Sequence, residues 1–526
     1  MNNFATFRLG DSPFLKPLEQ RILHRHQSLG WNGLIDRVVK LAEQAQASRN
    51  EPSDTAFLDA LRTAMSEGKL MPNSPLLVSA GEEQQRLFAC FAVDVRRPLD
   101  EALPLFRFIH DGMGGVGYAL TGAEHDFASL IRHIDQDTVQ HQDGRPRPAS
   151  NAVTMPVGAA LDEYLTLAGT LKVTNMNVAL SDEFMSGADP GAGRQLRRIA
   201  ESIHATGQPG IVFADRIARI AAVGEPVMAA NVCGEAPLAV DESALLASIN
   251  LTAFCTLPAE GYARFDEEAF CEHVRIAVRF LDSMHDVHSH ANDTLRQNTA
   301  ATRKIGVGIM GFAHALILCG MRYGDADSIG FAERLGELMM ITAQQESARL
   351  AQERGPYPAW KPEHGPARRN ASLVAIAGTA TIALLAGTSS GVEPLFSQLW
   401  DQTIVGQRIR LLDPVVRLML ERHGIDADAA QDAMLRGADF ASVAGLELAA
   451  LIPCAVELDG AVHIRVQAAL QKHIDGGITK TINCPADTSV DDIVGWLHLA
   501  HASSCMGLTI YRARTLEAQP MEGVGT

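Results

Sequence analysis

The segment Asn231-Val232-Cys233-Gly234-Glu235-Ala236-Pro237-Leu238 places a thiol two residues from a carboxylate. In an extended loop the side chains of residues i and i+2 point the same way, so one substrate would meet both groups. A thiyl radical can take a hydrogen atom from a sugar carbon, because S–H and activated C–H bonds are of comparable strength. A carboxylate beside it then takes the proton of the neighbouring hydroxyl as general base. The bland alternative is a small buried loop cysteine, the commoner use of a single thiol.

Three further motifs bear on chemistry. Gly378-Thr379-Ala380-Thr381-Ile382-Ala383 is a small, hydroxyl-bearing turn after an apolar run. Backbone N–H groups and threonine hydroxyls in such a turn suit phosphate, and a buried strand end is the competing reading. Gly306-Val307-Gly308-Ile309-Met310-Gly311 fits the dinucleotide fingerprint, but Thr294 to Lys304 before it is polar and helix-like. The strand that would confirm a nucleotide turn is missing there, so these glycines read as close backbone packing. Asp286-Val287-His288-Ser289-His290-Ala291 resembles the D-x-H-x-x-G signature of cobalt ligation. Its last position is alanine and it continues a helical pattern, so it reads as a helix face or end, and no metal ligand is assigned.

The elements that would carry these groups alternate. Residues from about 15 to 70 show apolar positions at helical spacing, such as Leu34, Val38, Val39 and Leu41. A turn at 71–75 leads into an expected strand at Leu76-Leu77-Val78, and Leu87 to Val95 reads as another. Gly114 to Tyr118 reads as a glycine-rich turn, and His141 to Pro148 as a polar loop. Apolar runs at 173–180, 210–214 and 248–254 then alternate with helical ones, which implies an α/β architecture with a buried sheet. The divisions read as a helical segment over 1–70, an α/β barrel over 71–515 and a short loose tail over 516–526.

Composition bounds the function. The 526 residues carry 45 Lys+Arg against 62 Asp+Glu, a formal charge of −17. With no basic block, a nucleic-acid partner is not expected. No stretch is long and apolar enough for a membrane span, and the N-terminus does not read as a signal peptide. None of the 8 cysteines forms a C-x-x-C pair. A zinc cage or secreted disulfide framework is therefore not expected, and the chain reads as cytoplasmic with reduced thiols.

Taken in order, many runs resemble ribonucleotide reductase large subunits over roughly residues 15 to 515. They include MPNSPLLVSAG at 71–81, ACFAV at 89–93, GGVGY at 114–118, NMNVALSDEFM at 175–185 and TGQPGIVFADR at 206–216. NVCGEAPL follows, then RKIGVGIMGFAHAL at 303–316, RNASLVAIAGTATIALLAG at 369–387, QAALQKHIDGGITKTINCPAD at 467–487 and GLTIYR at 507–512. The resemblance implies a ten-stranded α/β barrel with a finger loop through its centre. Cys233 at the loop tip would be the radical cysteine that takes the 3'-hydrogen of a ribonucleotide. Glu235 would take the 3'-hydroxyl proton, Asn231 would help hold the substrate hydroxyls, and Cys90 would be a reducing thiol under the 2' face. Ser74, Gly115, Arg147 and the turn Thr379, Ala380 and Thr381 would bind substrate, the turn near its phosphates. The single tyrosine of Thr509-Ile510-Tyr511-Arg512, and a tail unlike the glycyl-radical motif, make the chain most similar to the class that uses adenosylcobalamin.

The chain departs from the family pattern after the loop. Where the usual sequence is E-S-C-N-L-G-S-I-N-L, this chain has Glu242-Ser243-Ala244-Leu245-Leu246-Ala247-Ser248-Ile249-Asn250-Leu251. Cys90 therefore lacks its disulfide partner. The usual G-G-K-R-R-G-A loop reads Asp143-Gly144-Arg145-Pro146-Arg147-Pro148-Ala149, and the effector stretch between Tyr118 and Phe127 is shortened. Three readings follow. One is a reductase fed by an external reductant (thioredoxin-like, a small thiol or formate). Another is a diverged radical enzyme that releases a different product, and the third a catalytically silent nucleotide-binding relative. The family's homodimer is the expected assembly.

Overall fold

Continuous apolar runs form the strands, because a sheet covered on both faces buries both sides of each strand. In the computed structural model, which describes residues 18, 30–124, 126–142, 150–188, 190–220, 229–231, 233–404, 407–513, 515 and 521–523, these strands build one large sheet. Its members are β1 (Leu70–Pro72), β2 (Cys90–Ala92), β3 (Gly115–Ala119), β4 (Asn151–Pro156) and β5 (Thr174–Leu180), then β6 (Gly210–Phe213), β7 (Glu242–Asn250), β8 (Ile305–Met310), β9 (Thr481–Cys484) and β10 (Gly507–Arg512).

β7 is the hub, and all of it is buried. Its start pairs antiparallel with β2, its end pairs antiparallel with β1, and β8 runs parallel to it. From β2 to β6 each strand runs parallel to the next. β10 then pairs antiparallel with β6 and parallel with β9. Residues 373–376 close the gap between β8 and the approach to β9, with Val374 bridging Val307 and Ile376 bridging Ile478. Two parallel halves thus meet at two antiparallel seams and form a barrel. Gly306 and Gly308 lie in β8, and Gly311, at φ +83°, caps the helix that follows it. A Cβ at Gly306 would fall 2.3 Å from Leu246 Cδ2, and one at Gly308 2.7 Å from the Ala375 carbonyl oxygen, so close packing is their use.

Helices α1 (Gly30–Ser48) and α2 (Thr55–Ser66) precede the barrel. Leu76-Leu77-Val78 is not a strand: it lies in the fully buried helix α3 (Ser74–Ser79). Asn73 caps that helix through Oδ1, which accepts from Leu76 N at 2.9 Å, and Pro75 suits its first turn. The strand sits just before it, as β1. Leu87 to Val95 shortens to β2, and the expected turn at 114–118 is instead largely β3, because β2 and β4 offer partners on both sides. The tail is not wholly loose, since Met521–Gly523 pairs antiparallel with the strand Leu399–Ile404. Among the described residues no helix is long and apolar enough to cross a membrane.

Candidate active site

Between β6 and β7, residues 229–231 and 233–238 form a finger whose base packs against β3 and β4. Its base is a two-residue ribbon, Ala229–Ala230 against Pro237–Leu238. Asn231 shapes the tip: its backbone N–H donates to the Ala236 carbonyl at 3.2 Å, its carbonyl accepts from Gly234 N at 3.1 Å, and its Oδ1 accepts from Ala236 N at 3.0 Å. The chain turns at Cys233–Gly234, with Gly234 at φ +80°, so the loop is not extended there. Cys233 and Glu235 consequently differ in environment: Cys233 is exposed, whereas Glu235 is 2% exposed.

The finger rests on residues 477–479. Gly477 N donates to the Glu235 carbonyl at 2.7 Å. A Cβ on Gly477 would lie 2.5 Å from the Gly234 carbonyl oxygen and 3.0 Å from Glu235 Cα, so only glycine permits this seat. The Thr479 hydroxyl lies 3.1 Å from both the Cys233 carbonyl oxygen and Glu235 Oε2.

Cys90 stands on β2 beneath the finger. Its Sγ accepts from Asn231 Nδ2 at 2.9 Å and lies 3.5 Å from Glu235 Oε1, to which the thiol donates. Burial raises the Glu235 carboxyl, opposed by hydrogen bonds from its own backbone N–H, Asn231, Thr479 and Cys90. Burial and then the Glu235 charge push the Cys90 thiol well above its ordinary value, so Cys90 stays protonated. Directly across the seam, the partner of Cys90 in the β2–β7 register is Ala244. Both belong to one small apolar cluster with Ala236 and Leu246.

A cavity of about 250 Å³ brings these groups together. Asn231, Cys233, Glu235 and Cys90 line it, together with Ser74, Gly115, Thr379, Ala380 and Thr381. Arg147 lies outside the described residues, and among the described residues no Lys, Arg or His lines the cavity. Thr379 sits at φ +49°, rare for a β-branched residue, and is held there by the Gly391 N–H donating to its Oγ1 at 2.8 Å. Asn73, Met113 and Ser248 also line the cavity, although sequence reasoning did not single them out. Thr479 and Gly477 were missed as well, although they lie in the run 467–487 that carries the family likeness.

The Asp286–Ala291 segment packs against Phe88. His288 Nδ1 accepts from Leu87 N at 2.9 Å, and the ring packs edge-on against Phe88 at 4.1 Å. Among the described residues no group of three or more His, Cys, Asp or Glu is placed to hold a metal ion.

The family model for the ribonucleotide reductase barrel domain matches residues 185–367 and 363–511. The chain is 30% identical, over 95% of its length and 79% of the relative's, to a protein named vitamin B12-dependent ribonucleoside-diphosphate reductase from Mycobacterium tuberculosis (strain CDC 1551 / Oshkosh). A relative of the same name from Thermoplasma acidophilum is 28% identical over 88% of this chain and 66% of its own. Among solved structures, the class Id ribonucleotide reductase alpha subunit of Actinobacillus ureae superposes with a TM-score of 0.75 at 17% identity, covering 94% of this chain and 97% of that one. The closed barrel, its central finger and these matches together make the chain a member of the ribonucleotide reductase large-subunit family.

Proposed function

We propose that the chain is an adenosylcobalamin-dependent ribonucleotide reductase that converts ribonucleotides to 2'-deoxyribonucleotides through a thiyl radical at Cys233. The observation that carries this reading is the convergence of Cys233, Glu235, Asn231 and Cys90 on one cavity inside the barrel. The names of the relatives support the cofactor.

The residues fit such a cofactor through access and not through a ligand to cobalt. Cys233 is the exposed member of the set, and among the described residues no histidine lines the cavity. When bound, adenosylcobalamin supplies the radical that converts the Cys233 thiol to a thiyl. The Cys233 sulfur then takes the 3'-hydrogen of the ribose. Glu235 takes the 3'-hydroxyl proton, and its raised carboxyl lies nearer the working pH than an ordinary glutamate. The 2'-hydroxyl departs as water on the proton that Glu235 holds, and Cys90 gives a hydrogen atom to C2'. The external donor restores the Cys90 thiol with one electron and a proton, and reduces the 3'-keto carbon with the second electron and a proton. Cys233 then returns its hydrogen atom to C3'.

Reduction consumes two electrons. Because Ala244 faces Cys90, the chain forms no disulfide there, and the electrons come from an external donor: a thioredoxin-like protein, a small thiol or formate. None of the eight cysteines is in a disulfide, which supports a reducing, cytoplasmic location. A homodimer, the family's assembly, is the proposed state, and light scattering measures it.

The test is anaerobic incubation with adenosylcobalamin, ribonucleoside di- and triphosphates and each reductant in turn, with nucleotides read by mass spectrometry. Cofactor-dependent deoxynucleotide from the wild type, and none from Cys233→Ala, is expected. Cofactor cleavage with a different product, or no cofactor-dependent change under any reductant, overturns the proposal.

A further inference from the structure

Thr479 is absent from the cavity lining, yet it touches three parts of the site. Its Oγ1 lies 3.1 Å from Glu235 Oε2 and 3.1 Å from the Cys233 carbonyl oxygen. Its methyl faces the turn before Thr379, where a Cβ added at Gly378 would come within 3.2 Å of Thr479 Cγ2. Its backbone is fixed independently, since Thr479 N donates to the Ile376 carbonyl at 2.8 Å. The hydroxyl is therefore presented from a barrel stave to the finger and is not carried by the finger itself.

A hydroxyl has one proton to give. Both neighbours of Thr479 Oγ1 are oxygen acceptors when Glu235 is ionised, so it can satisfy only one at a time. Once Glu235 holds the substrate's proton, its carboxyl O–H can donate to Thr479 Oγ1. The Thr479 proton then turns to the Cys233 carbonyl. We infer that Thr479 is a positioning residue whose hydroxyl proton switches between Glu235 and the Cys233 carbonyl, coupling the charge of the base to the backbone of the radical cysteine. This rests on the proposed roles of Glu235 and Cys233. It assigns a function to the Thr479 side chain that its place on the strand approach does not require.

Thr479→Val keeps the shape and the methyl and removes the hydroxyl; Thr479→Ser keeps the hydroxyl and removes the methyl. If the switch operates, Thr479→Val raises the acid limb of kcat/KM by about one pH unit and lowers kcat about tenfold, with KM little changed. Thr479→Ser retains the wild-type limb. A readout independent of turnover is the infrared carboxylic-acid band of Glu235, isolated by subtracting the Glu235→Gln spectrum across a pH titration. Its midpoint rises in Thr479→Val and stays in Thr479→Ser. A midpoint unchanged in a folded Thr479→Val, or shifted equally in both variants, overturns the inference. Failure of the wild type to make deoxynucleotide would instead overturn the functional proposal, while the infrared titration still decides the role of Thr479.

Discussion

Glu235→Gln leaves the fold of the finger intact, because the amide retains an acceptor for Thr479, but it removes the base. Activity is expected to fall about 10²–10⁴-fold, measured as deoxynucleotide formed per minute. The opposite kind of substitution tests the seam. Residues directly opposed in antiparallel strands have Cα atoms about 4.5–5.5 Å apart, within the range a disulfide spans. Ala244 stands in that relation to Cys90. Ala244→Cys should therefore allow a disulfide to Cys90 during turnover, detected by peptide mass spectrometry, and should render activity sensitive to thioredoxin. The absence of this disulfide after turnover would show that the two positions do not face each other in solution. The alanine was legible in the sequence as the position where the family pattern puts the disulfide partner of Cys90, and the β2–β7 register sets the two directly opposite. The converse holds for Cys233 and Glu235. Their spacing suggested a shared face, yet the turn at Gly234 exposes one and buries the other, and the cavity brings them together by different routes.

At the scale of elements, the finger is held by its seat on 477–479. Gly477→Ala drives a methyl into the Gly234 carbonyl and the Glu235 backbone, and residues 477–479 are held by the neighbouring stave at Ile376. The finger therefore moves, and turnover should drop at least tenfold while far-UV circular dichroism is unchanged, a displacement of about 1 Å sufficing to cost that much. Beside β2, His285, His288 and His290 surround Phe88. Burial lowers all three: His285 and His288 lie well below 6.5, and His290 falls to about 4. A histidine depressed in the folded state binds its proton more readily when unfolded, so stability is full above about pH 6.5 and is lost as pH falls below it. His290 alone accounts for a loss on the order of 3 kcal/mol by about pH 4. Urea titrations from neutral to acid pH measure it. His290→Gln should flatten that dependence. The alternation of apolar runs made the α/β class readable, and the runs at 173–180 and 210–214 became β5 and β6. Helix α3 was not readable, because Leu-Leu-Val is apolar all round and a fully buried helix lacks the periodicity that separates helix from strand. The stave at 373–376 was equally hidden, since it is recognised by its partners alone.

Across the whole molecule, the barrel is tied to its surrounding helices by a buried charge network. Asp282 is fully buried on the helix Glu267–Met284. Against the effect of that burial, Arg303 and Arg369 hold its carboxyl down to about 2. Arg303 Nη2 lies 2.8 Å from Asp282 Oδ1, and Arg354 Nη1 3.2 Å from Oδ2. Arg303 and Arg354 carry the network on to Asp286 and Glu51, which joins the N-terminal helices to the barrel wall. Asp282→Ala leaves buried cations without their partner and should cost about 3–5 kcal/mol, read as a lowered urea midpoint. These restraints hold the barrel wall around a cavity where a thiol, a carboxylate and a second thiol converge. Competition between ribonucleotide carrying hydrogen or deuterium at C3', with adenosylcobalamin and the active reductant, tests the use of that arrangement most directly. The account predicts slower conversion of the deuterated substrate to deoxynucleotide, with no product from Cys233→Ala. Equal conversion of the two substrates, or deoxynucleotide formed by Cys233→Ala, would contradict it.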